Sequence, residues 1–166
     1  MKAEYLNPFL KGISSILEEV AGERPALGRP FLRPGYPYSV DGVAIFIGVT
    51  GHLSGQVVIC IQEACARGIA AAMLMEGSIA KLDEYAQSAL AELVNMIVAS
   101  ATIGLAEAGY RTDITPPSVV TGEKIEISNQ AKIPTLAIPL SIMNGKIEVN
   151  LSLVEAGAAG KERRKI

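Results

Sequence analysis

Between Asp83 and Gly109 the sequence DEYAQSALAELVNMIVASATIGLAEAG carries a helix-long apolar pattern with a polar stripe along it: Ser88, Glu92 and Asn95. No other stretch constrains the fold as strongly, because a helix of this length buries one side and leaves polar groups on the other. At about 100° per residue from Leu93, the residues Ala86, Ala89, Leu90, Ile97, Ser100 and Gly104 form the expected buried face. Glu84, Ser88, Ala91, Asn95, Ala99, Thr102 and Ala106 fall opposite, with Glu92 at the flank. A carboxylate and a carboxamide three residues apart therefore point outward together among small side chains. Asp83 suits the N-cap, Glu84 adds negative charge in the first turn, and Gly109 ends the run.

The rest of the chain reads as partners for that helix. Asn7-Pro8 is a predicted helix start, after which Phe9, Ile13, Ile16, Leu17 and Val20 recur at helical spacing up to Gly22. Residues 23–39 hold four prolines and two glycines, which predicts an extended connection with one short edge strand. From Val40 to Gln62 an apolar run, the turn-rich TGHLSG and the β-branched QVVICIQ predict a hairpin. Glu63 to Met75 reads as a short Ala-rich helix, and TDITPPSVVTG as a proline-punctuated loop leading into the strand EKIEIS. Leu136, Ile138, Leu140 and Ile142 then share one strand face. Asn144-Gly145 has the chemistry of a type I′ turn, and Ile147, Val149, Leu151 and Leu153 line the next strand. The expected fold is α+β, a mostly antiparallel sheet of about six strands packed with two long helices and one short one. Residues 1–156 are expected to form one domain, with 157–166, which contain KERRK, as a flexible basic tail.

Composition narrows the function classes. A chain of 166 residues that is 49% hydrophobic and 19% charged has the balance of a globular domain rather than a disordered one. A net charge of −2 supplies no basic field for nucleic acid. No apolar run of membrane-spanning length is free of polar interruption, and the opening MKAEYLNPFL lacks the continuous apolar core of a signal peptide. The expectation is a soluble cytoplasmic protein with no membrane partner. Cys60 and Cys65 are too few for a disulfide framework and read as buried small apolar residues. His52 is the sole histidine and falls in a turn, so a histidine-based triad or multi-histidine metal site would rest on it alone. No metal site of the chain's own is expected. The glycines at 48, 51 and 55 lack the Gly-Lys-Ser/Thr of a phosphate loop, and neither HExxH nor Gly-x-Ser-x-Gly occurs.

Whatever chemistry exists is thereby pushed onto the long helix. An amide cannot take up a proton at neutral pH, yet it donates and accepts hydrogen bonds, so Asn95 is suited to orienting a water rather than activating it. Orientation is sufficient where the electrophile is already reactive, as in an acyl phosphate or a metal-bound phosphoryl group. Glu92 beside it is placed to pair with a cation on a partner. The small residues around them suit either close approach of another protein or tight packing against an element of the same fold.

The segment Ser88-x-x-x-Glu92-x-x-Asn95, followed some twenty residues later by Pro116 and Pro117, resembles the signature of the CheC/CheX/FliY phosphatases of bacterial chemotaxis. Asn7-Pro8-Phe9-Leu10 and Thr115-Pro116-Pro117-Ser118-Val119-Val120 are similar to the CheX branch. The resemblance implies a CheC-like fold and, as substrate, the phosphorylated aspartate of a CheY-like receiver domain. It implies that Asn95 positions the attacking water and that Glu92 contacts the receiver's active-site lysine. Ser88, Ala99, Pro116 and Pro117 would bind the partner, and Mg2+ would be held by the receiver. CheC-type members carry a second ExxN in the first helix, whereas neither Glu18 nor Glu19 here is followed at three residues by Asn. One site per chain is therefore expected, and the resemblance to CheX-like proteins, which are homodimers, implies a two-site dimer. The rival expectation is a non-catalytic receiver-binding adaptor or flagellar-switch-like component that uses the same helix face to dock.

Overall fold

The computed structural model describes residues 3–128, 133–143 and 145–156. In chain order the elements are α1 (Ala3–Ala21), β1 (Ala26–Leu27), β2 (Phe31–Leu32), β3 (Tyr38–Gly51) and β4 (Leu53–Ile61). They continue as α2 (Glu63–Leu74), α3 (Glu84–Glu107), β5 (Thr112–Ile114), β6 (Ser118–Ile127), β7 (Leu136–Ile142) and β8 (Gly145–Glu155). Eight antiparallel strands among the described residues form one sheet in the order β1-β7-β8-β4-β3-β5. β2 extends β1 along the free edge of β7, and β6 extends β5 along the free edge of β3, so the eight segments lie in six rows. The expected α+β class and antiparallel pairing hold.

Alternation divides the sheet into two faces. Val43, Ile45, Ile47 and Val49 of β3, Val57, Ile59 and Ile61 of β4, and Val149 and Leu151 of β8 point to the helices and are fully buried. α1 contributes Phe9, Ile13 and Leu17 at helical spacing, each worth about 1.5–3 kcal/mol when buried. The opposite face is closed by the segment that follows β2. Arg33 lies with its guanidinium 3.8 Å over the Tyr38 ring, pairs with Glu148, and donates from Nε to Asn150 Oδ1 at 3.1 Å. Cys60 and Cys65 are both buried, and burial pushes the Cys60 thiol up to about 12.

Four expectations are corrected. First, α1 begins at Ala3, not at Asn7-Pro8, and Pro8 sits inside it. The added turn is held by distant contacts: Tyr5 donates to Glu155, Tyr110 donates to Glu4 at 2.8 Å, and the two rings meet edge to face at 4.9 Å. Second, the expected loop after α3 is largely strand. β5 pairs with residues 49–51 of β3, and β6 starts at Ser118, directly after the two prolines, whose missing N–H groups leave the following residues free to pair. Third, the connection of 23–39 makes two short edge strands rather than one. The Asn144-Gly145 turn lies partly, and the tail at 157–166 wholly, outside the described residues.

The fourth correction concerns α3 itself. Asp83 caps it by accepting from the Ala86 N–H at 3.0 Å, as its sequence predicts. Its buried residues, however, are Ala86, Ala89, Leu90, Leu93, Val94, Ile97, Val98, Ala101 and Leu105, while Ser100 and Gly104 are half-buried. The buried face is thus turned by roughly 60° from the one centred on Leu93. α3 is long and apolar enough to cross a bilayer by length and composition, but this buried row is the centre of the core between α1, α2 and the sheet.

Two glycines set that rotation by letting α1 come close. A Cβ on Gly12 would lie 3.0 Å from the Ile97 carbonyl oxygen and 3.4 Å from Ser100 Cβ, and one on Gly104 would lie 3.0 Å from Pro8 Cβ. Gly104→Val should therefore force the helices apart and cost about 1–3 kcal/mol, read as a lower urea midpoint at unchanged slope. Gly77→Ala, with nothing within 4 Å, should stay within about 0.5 kcal/mol.

Candidate functional site on the exposed face of α3

With α3 rotated, Glu92 moves from the flank to the crest. It is exposed, as is Ser88, whereas Asn95 and Ala99 are half-buried. Three residues of helix bring the side chains of Glu92 and Asn95 to neighbouring positions, about 5–6 Å apart at Cβ. Neither the Glu92 carboxylate nor the Asn95 carboxamide has a hydrogen-bond or ion-pair partner among the described residues. Other polar groups of α3 do have partners. Gln87 Nε2 donates to the Leu82 carbonyl at 2.7 Å, and the Thr102 hydroxyl to the Ala99 carbonyl at 2.7 Å. Asn is a mediocre helix former, and this one, mid-helix, caps nothing, so an unpartnered amide there is an unspent recognition group.

Between the first half of α3 and β6 lies an open recess of about 340 Å³ lined by Glu84, Gln87, Ser88, Ala91 and Val119. Val119, named from sequence only within the stretch from Thr115 to Val120 and without a site role, enters the recess because it lies on β6 rather than in a loop. Pro116, exposed, and Pro117, half-buried, form the corner just before it. That corner is pinned to β3: the Thr115 N–H donates to the Gly48 carbonyl at 3.0 Å, and the Gly48 N–H donates to Thr115 Oγ1 at 2.8 Å. The structure thus gathers Ser88, Glu92, Asn95 and Ala99 on one helix face. It places the prolines on a separate corner linked to that face through the Val119 recess.

A larger cavity, about 760 Å³, is on the other side of the sheet, between the β1 edge and β3, with Arg33, Asp41, Cys60, Lys146 and Glu148 in its wall. Arg33 and Glu148 there are already paired with each other. Its volume does not make it the better candidate, since a free amide and a free carboxylate occur together on α3 instead. Among the described residues no group of three or more His, Cys, Asp and Glu is placed to hold a metal ion. What α3 offers is a convex surface with one donor–acceptor amide and one anion, suited to another protein rather than to an engulfed small molecule.

Comparison with known proteins gives the family. Residues 43–141 match the model of the family described as chemotaxis phosphatase CheX, and the chain belongs to this family. It is 29% identical over 160 residues to the CheY-P phosphatase CheX of Thermotoga maritima, covering 95% of this chain and 100% of that protein. A CheC-like superfamily protein from Shewanella sp. PV-4 superposes with a TM-score of 0.84 at 26% identity, over 93% of this chain and 99% of the other. A chain of the CheX–CheY–BeF3–Mg2+ complex from Borrelia burgdorferi does so with a TM-score of 0.78 at 29% identity, over 91% and 98%.

Because Glu92 and Asn95 support no core, Glu92→Ala and Asn95→Ala should each leave stability within about 0.5 kcal/mol. Leu93→Ala, between them in sequence but 1% exposed, should cost about 2–5 kcal/mol. Circular-dichroism melts of the three variants provide the comparison.

Proposed function

We propose that this chain hydrolyses the phospho-aspartate of a CheY-like receiver domain on the exposed face of α3, with Asn95 holding the attacking water and Glu92 holding the receiver. The observation that carries the reading is the half-buried, unpartnered Asn95 amide one turn from the exposed Glu92, on a chain of the CheX family. In the reaction the water oxygen forms a bond to phosphorus as the bond to the aspartate oxygen breaks. The proton of the water goes to a phosphoryl oxygen or to solvent.

The departing group is a carboxylate, whose conjugate acid has a pKa of about 4, so it leaves without a general acid. An acyl phosphate is also reactive enough that its attacker needs alignment more than deprotonation. A carboxamide can accept one hydrogen bond from the water and donate another to a phosphoryl oxygen, which fixes the line of attack. The Mg2+ that neutralises the phosphoryl oxygens would be held by the receiver. Glu92, acceptor-only and exposed, would meet the receiver's lysine. Ser88, Ala99 and the Pro116-Pro117 corner would form the bed on which the receiver rests. The same reading takes the protein to be a cytoplasmic homodimer with one site on each chain.

Phosphate release from a Mg2+-loaded phosphorylated receiver tests the reading. Asn95→Ala should lower the rate by about 10²–10³. Equal release with and without Asn95 would discard the water-holding role, and binding without accelerated release by the unaltered chain would leave an adaptor instead. Glu92→Ala should weaken receiver affinity by about 2–5 kcal/mol if its pair is desolvated in the complex, measured by calorimetric titration. Unchanged affinity would reject the docking role.

A further inference from the structure

The crest of α3 carries more than the two polar groups. Tyr85 is 78% exposed and Ile103 is 64% exposed, although the other large apolar side chains of the helix are mostly buried. Tyr85 precedes Glu92 by seven residues and Ile103 follows it by eleven, near-integral numbers of turns, so each lies within about 20° of Glu92 around the axis. The three therefore form a single line about 27 Å long. Between the apolar ends lie Ser88 and Ala99, whose small side chains do not obstruct an approaching surface.

We infer that Tyr85 and Ile103 are the apolar anchors by which a receiver domain grips α3, one at each end of the Glu92–Asn95 pair. This rests on the proposed reaction and deepens it by naming what sets the affinity. A carboxylate and an amide fix orientation but bury little apolar surface, whereas a specific interface needs on the order of 800 Å² from each partner and concentrates its energy in a few buried side chains, Tyr prominent among them.

The span also fits the partner. A receiver-sized domain of about 120 residues has a radius of gyration near 13–14 Å, so one such domain reaches along the whole line and touches both ends at once. A second copy of this chain fits less well, because a two-fold contact centred on the crest near Ser88 sets Glu84 of each copy against Glu92 of the other and covers Asn95.

The test uses the full chain and a CheY-like receiver, phosphorylated for kinetics and bound to beryllofluoride and Mg2+ for equilibrium titration. Tyr85→Ala and Ile103→Ala should each raise KM and Kd by roughly 10-fold with kcat unchanged, the pattern of lost uniform binding, and with an unchanged melting temperature. Tyr85→Phe should restore most of the affinity, since the apolar body of the ring is the anchor. Asn95→Ala should show the complementary pattern, a fall in kcat at similar KM. If the unaltered chain accelerates phosphate loss while both alanine variants keep its KM and Kd, the anchors are wrong and the reaction stands. If the unaltered chain accelerates nothing, the reaction itself is wrong. A change of sedimentation mass in either variant would assign the crest to a contact between copies and overturn the inference.

Discussion

The rotation of α3 about its own axis is the constraint on which the rest of the structure depends. It is set sterically, by the backbone of α1 lying against Ile97 and Ser100 at Gly12 and by Pro8 lying against Gly104. Were the buried face centred on Leu93, Glu92 would sit at a flank. As it stands, Glu92 is exposed on the crest, while Asn95 is partly withdrawn on the shoulder. The two groups therefore differ in freedom as well as in chemistry. The carboxylate can search for a cation, whereas the amide is already restricted before anything docks. That division suits a capture group and a positioning group.

The two sides of the sheet use polar residues in contrasting ways. On the side away from the helices they satisfy one another. Thr135 and Ser152 bond at 2.5 Å, Asn150 shares its amide between Arg33 and Glu148, and the chain from Arg33 to Tyr38 covers them. Such a network stabilises because each member has a partner, and it has little left to offer a ligand. On α3 the order is reversed, since the groups without partners are the ones facing solvent. Burial and satisfaction, more than cavity size, separate the polar residues that hold this fold together from those left available to a partner.

Much of the fold was legible in the sequence because it is encoded locally. Alternation placed the β3–β4 and β7–β8 pairs, the Ala-rich run placed α2, and Asp83 marked the start of α3. What the local sequence does not encode depends on long-range contacts. The first turn of α1 exists because Tyr5 and Glu4 reach Glu155 and Tyr110, more than a hundred residues away, against a local signal that started the helix at Asn7. β6 was concealed by the prolines before it, which read as loop although only their own N–H groups are lost. At the site, the residue types were legible and their directions were not. A period of about 100° finds the stripe, but the choice of Leu93 as its origin was arbitrary, and only packing against α1 could correct it. The exposure of Tyr85 and Ile103 depends on that same rotation. The roles proposed for Glu92 and Asn95 rest on family resemblance, since spacing alone does not name a substrate.

Glu92 and Asn95 ride on one continuous helix, less than one turn apart, and that has an evolutionary consequence. Their separation is fixed by backbone hydrogen bonds common to every α-helix, not by the packing of two elements that must stay in register. Substitutions in the sheet, the edge strands or the covering segment can tilt or shift α3 as a body without altering the distance between these two residues. Two side chains related in this way would keep their spacing through extensive drift in the scaffold that carries them.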